Sequence, residues 1–96
     1  MHVAFIPILM TYQALQMLTG DEVSQLLNVH RNQITMYRET GILKGTKTGK
    51  NIMYSQKEIM EFQDKFKGYD ISNKFKVTET LERIKNKRAY LNEQNE

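Results

Sequence analysis

The side chains best suited to bind a polyanion are concentrated between residues 31 and 57 of this 96-residue chain. They are Arg31, Arg38, Lys44, Lys47, Lys50 and Lys57. Against these six cations stands one acid, so the stretch carries +5, whereas the whole chain carries +3 and the remainder therefore −2. Because lysine and arginine neutralise the phosphates of nucleic acids, this clustering favours a nucleic-acid backbone as the ligand.

A helix is predicted from Arg31 to Thr40, with Ile34 and Tyr37 on its inner face and Gly41 at its end. Its outward positions carry side chains that suit base edges or phosphates: Arg31, Asn32, Gln33, Thr35 and Arg38. The Tyr37 ring is expected in the core. Two roles are open for this residue: either it only packs there, or its hydroxyl also contacts a phosphate. His30 is expected to cap this helix.

A shorter helix precedes it. Thr19 and Glu22 form a capping box, in which each residue bonds the backbone N–H of the other. Val23, Leu26 and Leu27 follow at the spacing of one buried helix face. Asn28, which tolerates a left-handed backbone, ends the helix. Two helices joined by about four residues predict a helix-turn-helix.

Two short apolar segments, Ile42-Leu43 and Ile52-Met53-Tyr54, flank a glycine-rich basic stretch after the second helix. This pattern predicts a β-hairpin, or wing, with a flexible tip. Three lysines without an acid suit contact with phosphates, although solubility alone is the alternative. A second capping box, Ser55 with Glu58, opens a third helix that ends at Gly68.

The segments before and after this region are predicted separately. Residues 1–18 contain no charged side chain and form an arm or tail, either docked on a partner subunit or packed on its own domain. Residues 69–96 predict a helix with a weak apolar seam, interrupted by Arg88 and supported by a Glu79–Arg83 pair. The seam consists of Val77, Leu81, Ile84 and Leu91. Either segment is a candidate for self-association of two or more copies.

Several classes of protein are disfavoured. The chain has no cysteine and two histidines, so neither disulfides nor a thiolate or histidine-rich metal site is expected. The longest apolar run, residues 3–10, is too short to cross a membrane, and a cytoplasmic location is expected. No arrangement of carboxylates or glycine-rich phosphate loop predicts catalysis or a cofactor.

Residues 19–67 resemble the winged helix-turn-helix of the MerR and excisionase superfamily. The matching segments are Leu18-Thr19, Leu27 to Arg31, Tyr37 to Lys44, and Tyr54-Ser55. The most specific of them, Tyr37 to Lys44, is similar to the family's aromatic–acidic–glycine–leucine–leucine–lysine run. The resemblance implies a mainly α fold with a small β-hairpin wing and, here, an added C-terminal helix.

The resemblance also implies how double-stranded DNA is bound. The recognition helix, residues 31–38, would enter the major groove, and the wing, residues 44–51, would touch the flanking backbone or minor groove. The candidate contacts are His30, Arg31, Asn32, Gln33, Thr35, Tyr37 and Arg38 in the helix, and Lys44, Lys47, Thr48, Lys50 and Asn51 in the wing.

Departures from the family pattern refine the expected role. Thr35-Met36-Tyr37 keeps one aromatic of the usual basic–aromatic–aromatic run, and Asn28 replaces a usual glycine. The long dimerising helix and effector domain of MerR activators are missing or much shortened. A small transcriptional regulator or excisionase-type architectural factor of a bacterium or phage is therefore expected. The alternatives are a phage packaging small subunit and a winged helix used for protein contacts only.

Overall fold

The computed structural model describes residues 12, 13 and 15–94, whose elements follow the predicted winged helix-turn-helix. In chain order these are β1 (Leu18–Thr19), α1 (Gly20–Leu27), α2 (Arg31–Thr40), β2 (Thr46–Lys47), β3 (Ile52–Tyr54), α3 (Gln56–Lys65) and α4 (Lys74–Gln94). The predicted class, mainly helical with a small wing and an added C-terminal helix, is confirmed.

Helix α1 begins with the predicted capping box. Thr19 Oγ1 accepts from the Glu22 amide at 3.1 Å, and Glu22 Oε1 accepts from the Thr19 amide at 2.9 Å. The prediction that Leu26 is buried is wrong, because this side chain is 58 % exposed. The inward face follows Gly20, Val23, Ser24 and Leu27 instead, and Leu26 lies about 100° around the helix from Leu27.

Helices α1 and α2 each end at a residue with a left-handed backbone. Asn28 ends α1 with φ 57° and ψ 47°, as its side-chain type predicts. Gly41 ends α2 with φ 86°, a conformation that favours glycine. Between them Ile34 and Tyr37 are buried, as predicted, so the opposite side of α2 faces outward.

The wing is a real hairpin, but its first strand lies later than predicted. Strand β2 consists of Thr46–Lys47, whereas Ile42 and Leu43 form no strand. Their amides donate to the Tyr37 carbonyl at 3.1 and 3.3 Å, so they close the end of α2 and cannot join a ladder. Both side chains enter the core instead.

Strand β3 is the centre of an antiparallel sheet ordered β1–β3–β2. Leu18 lies opposite Tyr54, and Lys47 lies opposite Ile52. The chain before α1 therefore pairs with the wing, a contact that the sequence pattern did not predict. The sheet links the segment before the first helix to the strand that leads into α3.

The predicted second capping box forms only in part. Ser55 Oγ accepts from the Glu58 amide at 3.0 Å, as expected. The Glu58 carboxylate does not return to Ser55 but accepts from the Lys44 amide at 2.9 Å. The reason is that the chain at the base of the wing lies beside the start of α3 and offers this carboxylate a backbone donor.

One core joins the helix-turn-helix, the wing and the start of α4. Its buried members are Val23, Ile34, Tyr37, Ile42, Leu43, Tyr54, Ile59, Phe62, Phe66 and Val77. The Phe62 ring packs between Tyr37 and Phe66, with centroid separations of 5.3 and 5.4 Å. Val77 is fully buried, so the first turns of α4 complete the same folded unit as residues 19–68.

Helix α4 starts three residues before the predicted seam, because Asn73 caps it. Asn73 Oδ1 accepts from the Lys76 amide at 2.8 Å. The predicted Glu79–Arg83 pair is present at 3.2 Å. Along the seam, Leu81 and Ile84 are partly buried whereas Leu91 is 49 % exposed. From residue 85 to 93 every side chain is exposed, so the second half of α4 projects beyond the core.

The apolar run at residues 3–10 lies outside the described residues, so neither role expected for the arm is tested. Nearer the domain, the Gln56 side chain donates to the carbonyls of Gln13 and Gln16. The part of the arm that enters β1 is therefore attached to the first turn of α3. Within the described ranges, no helix combines the length and apolar character that crossing a membrane requires.

Candidate nucleic-acid interface

The first turn of α2 is shaped by His30, whose role as a cap is confirmed. Its backbone is extended, at φ −68° and ψ 148°, and Nδ1 accepts from the Asn32 amide at 3.0 Å. A ring nitrogen that accepts this bond cannot also donate to a phosphate. The structure therefore shows a structural role for this candidate contact, while Nε2 remains available at the exposed edge of the ring.

The outward face of α2 presents the candidate base-contacting side chains. At about 100° per residue, Asn32, Thr35 and Glu39 lie on the side opposite the buried Ile34 and Tyr37. Asn32 and Glu39 are exposed and Thr35 is half-buried. An amide and a hydroxyl on one face suit the donor and acceptor pattern of the major groove. Glu39 would repel phosphates, so this face of α2 suits contact with bases better than contact with the DNA backbone.

Arg31 and Arg38 flank this face on the side nearer α1. Arg38 is half-buried and lies two turns beyond Arg31. The Arg31 Nε donates to Asp21 Oδ1 at 2.9 Å, an ion pair that joins α1 to the start of α2. The Arg31 guanidinium also lies against Gly20, where a Cβ would come within 2.5 Å of Cζ. The ion pair and the contact with Gly20 therefore favour an orientation of the arginine toward the start of α1.

Gln33 and Tyr37 lie on the opposite flank, toward α4, and bond each other. Gln33 Nε2 donates to the Tyr37 hydroxyl at 2.8 Å and to the Ser72 carbonyl at 3.3 Å. Tyr37 is 3 % exposed, so its hydroxyl is turned inward in this structure. Both candidate contacts are therefore engaged within the protein.

The wing brings five candidate contacts together on an exposed hairpin. Lys44, Lys47, Thr48, Lys50 and Asn51 are all exposed. Gly45 sits where a Cβ would overlap Cγ2 of Ile52 and lie 3.1 Å from Cε1 of Tyr54. Because Gly45 has no side chain, the segment before β2 can lie close to β3. The Glu58 carboxylate on the Lys44 amide holds the base of the wing to α3.

A polar recess joins the recognition helix to the wing. It has a volume of about 190 Å³ and is lined by Thr19, Gly20, Asp21, Arg31, Asn51 and Ile52. Arg31 comes from α2 and Asn51 from the wing, so two parts of the predicted interface meet at one place. A nucleic-acid strand that followed this recess would contact both elements.

Sequence patterns missed the supporting residues of this interface. Gly20, Asp21 and Glu58 hold Arg31 and the wing in place, yet each looks like an ordinary helix-start residue. An acidic first turn in α1, followed by an arginine at the start of the next helix, could have revealed Asp21. Across the described chain, no group of three histidine, cysteine or acidic side chains is arranged to hold a metal ion.

Comparison with known proteins agrees with this geometry. A family described as "Helix-turn-helix domain" matches residues 17–67, more than half of the chain. No curated protein and no solved structure matched the chain. The matched range runs from the residue before β1 to two residues beyond α3 and includes the recognition helix and the whole wing. The chain therefore belongs to the helix-turn-helix domain family, of the excisionase and MerR-like type, and carries a DNA-binding domain.

Proposed function

We propose that the chain binds a specific double-stranded DNA sequence as a small transcriptional regulator or an excisionase-type architectural factor. The observation that carries this proposal is the recess through which Arg31 of the recognition helix meets Asn51 of the wing. A helix in the major groove and a wing on the adjacent backbone then belong to one continuous surface. The setting would be the cytoplasm of a bacterial cell, with the chain encoded by the bacterium or a phage.

The proposed contacts divide by chemistry. Asn32 and Thr35 face outward and would contact base edges, with Arg31 held by Asp21 at the groove edge. Arg38 and the wing residues Lys44, Lys47, Thr48, Lys50 and Asn51 would contact phosphates. His30 and Tyr37 support the helix instead. His30 accepts a hydrogen bond from the backbone amide of Asn32, and the Tyr37 hydroxyl accepts one from the side-chain amide of Gln33.

A direct binding experiment tests the proposal. The full chain is titrated against duplexes tiled across its own gene and flanking DNA, with a shuffled duplex of equal length as control. One segment should be bound more tightly than the shuffled duplex. If three to five cations meet phosphates, log K against log salt should have a slope of about −3 to −5. Equal affinity for all duplexes, or no binding at low salt, would contradict sequence-specific recognition.

A second proposed role, self-association or assembly on DNA, is supported by the projecting half of α4. Tyr90 and Leu91 are 59 % and 49 % exposed on a helix end that the core does not cover. Beside it lies a groove of about 600 Å³ whose lining is apolar and basic, without an acid: Lys65, Tyr69, Ile84, Lys87, Arg88, Leu91 and Asn92. A second copy bound in this groove would bring a second recognition helix to the DNA. An assembly like that of a phage packaging subunit would do the same.

No catalytic role is proposed. Helix-turn-helix domains generally do not catalyse reactions, and the function proposed here needs neither a cofactor nor a metal. A winged helix used for protein contacts alone is the remaining alternative. It is disfavoured by the three exposed lysines of the wing, because such a tip suits phosphates better than a protein surface.

A further inference from the structure

We infer that Gln33 is a positioning residue, which couples the angle of the recognition helix to the C-terminal helix and does not itself contact a base. This inference rests on the proposed DNA-binding role of α2. It differs from the expectation drawn from residue type, by which an amide near the start of a recognition helix contacts bases.

The amide of Gln33 already has its partners. Contact with adenine requires a glutamine amide to donate and accept at once. In the structure, Nε2 donates to both the Tyr37 hydroxyl and the Ser72 carbonyl, which accounts for its two hydrogens. Gln33 is also half-buried, on the flank of α2 that faces α4. It would have to break these bonds in order to reach a base.

One partner is fixed in the core. The Tyr37 ring packs 5.3 Å from the Phe62 ring of α3. The Tyr37 carbonyl accepts from the amides of Ile42 and Leu43, which close the end of α2. Its hydroxyl is therefore a fixed acceptor, and Gln33 is held at a set distance from the core.

The other partner belongs to a hydrogen-bonded turn before α4. The Ser72 amide and hydroxyl both donate to Asp70 Oδ1, at 3.0 and 2.6 Å. The Asp70 carbonyl in turn accepts from the Thr80 hydroxyl at 3.1 Å. Thr80 is 4 % exposed on the buried face of α4. Hydrogen bonds thus run from Tyr37 through Gln33, Ser72 and Asp70 to the buried face of α4.

The consequence concerns DNA recognition. The second half of α4 is exposed, so a partner that moves this helix would shift the turn at Ser72. Because Gln33 is the side chain that bonds this turn to α2, the shift would change how the recognition helix sits in the groove. Removal of the amide should therefore weaken all sequence-specific contacts together and leave the preferred sequence unchanged.

The test uses three full-length variants. Gln33→Leu keeps the side-chain size and removes both donors, and Tyr37→Phe removes only the hydroxyl that Gln33 bonds. Asn32→Leu, next to Gln33 but on the outward face, is the matched control. The first measurement is hydrogen exchange of the Val77 amide in the free protein, which donates to the Asn73 carbonyl at 2.9 Å. Exchange should accelerate severalfold in Gln33→Leu, less in Tyr37→Phe, and not in Asn32→Leu.

The second measurement is affinity for the preferred duplex and for its single base-pair substitutions. Gln33→Leu should bind the preferred duplex severalfold more weakly, because the recognition helix loses its hydrogen bonds to the Tyr37 hydroxyl and the Ser72 carbonyl, and keep the same ranking of substitutions. Asn32→Leu should lose the preference at one base pair. The inference is overturned if Gln33→Leu relaxes one base pair and leaves Val77 exchange unchanged. If no duplex is bound at all, the proposed function fails, while the exchange measurement still decides the coupling.

Discussion

The Arg31 guanidinium and the Asp21 carboxylate lie 2.9 Å apart, across the turn that separates the two helices of the helix-turn-helix. Their side chains are 49 % and 79 % exposed, so the pair contributes little to stability, typically about 0–1 kcal/mol. Its effect is on orientation, because it directs an arginine toward the recess shared with the wing. Asp21, which looks like part of a helix cap, thus contacts an arginine of the proposed DNA-binding surface.

Substitution of Asp21 should show whether the ion pair acts on the orientation of the Arg31 side chain or on the stability of the fold. Asp21→Asn removes the ion pair and one negative charge near the interface. We expect binding to random duplex to strengthen and discrimination between target and random duplex to fall, since Arg31 is freed to contact any phosphate. Asp64→Asn, the same charge change on the exposed side of α3, is the control and should leave discrimination unchanged. Equal discrimination in both variants would contradict the orienting role.

Wing and helix substitutions should have different signatures. Lys47→Ala and Lys50→Ala should weaken target and random duplex alike and make the salt slope shallower by about 0.9 for each phosphate that is no longer neutralised. Asn32→Ala or Arg31→Ala should reduce discrimination by about 1–3 kcal/mol where the removed side chain hydrogen-bonds a base. Fluorescence anisotropy at several salt concentrations measures both. If the wing variants lose specificity and the helix variants lose only bulk affinity, the assigned roles are reversed.

The close crossing at Gly45 gives a stability prediction with an internal control. Gly45→Ala places a Cβ against Ile52 and Tyr54, so the hairpin must shift, at a cost of about 1–3 kcal/mol in the free energy of unfolding. Gly49→Ala, at the wing tip, meets no atom within 4 Å and should be nearly neutral. Urea denaturation of both variants measures the difference. Equal stability would show that the wing does not need the close approach at residue 45.

The turn before α4 should respond to acid. The side chain and the amide of Ser72 donate to Asp70 and hold the pKa of its carboxyl below the ordinary value of 3.8. A lowered pKa in the folded state means that the stabilisation is present above pH 3.8 and is lost as the pH falls through the folded-state pKa. The protection of the Val77 amide from hydrogen exchange, corrected for the intrinsic pH dependence of exchange, should therefore fall in acid. Asp70→Asn should remove most of that dependence, and an unchanged acid response would contradict the assignment.

Truncation should test self-association without opening the core. A chain ending at Lys85 keeps the buried Val77 and Thr80 and the half-buried Ile84 but lacks the exposed end of α4. Sedimentation with and without duplex should show association or cooperative assembly for the full chain and weaker association for the truncated one. Leu91→Glu in the full chain should reproduce the truncation. A full chain that binds DNA one copy at a time, unaffected by either change, would exclude this role.

Local signals in the sequence predicted the parts of the fold that local chemistry decides. The capping box at Thr19, the left-handed residues Asn28 and Gly41, and the inward pair Ile34 and Tyr37 all act within a few residues of their partners. The displaced strand β2 was missed because Ile42 and Leu43 look like a strand but serve the end of α2. An apolar pair at such a place fits either role.

The site was harder to predict, because its supporting contacts join distant residues. Gln33 and Ser72 are 39 positions apart, and Lys44 and Glu58 are 14 apart. No spacing rule connects such pairs. Residue type alone therefore assigned Gln33 to the DNA and Glu58 to its own helix, whereas the fold offers each a different partner. Solvent-facing residues such as Asn32 need no such partner, and their outward placement follows from helical periodicity.

The brevity of the sheet has a consequence for how copies of the chain meet. Both outer strands, Leu18–Thr19 and Thr46–Lys47, are two residues long, and the second carries a lysine. An edge this short and charged gives an incoming strand too few backbone groups to pair with. Growth of the sheet from molecule to molecule, the route to amyloid-like fibres, is thereby discouraged.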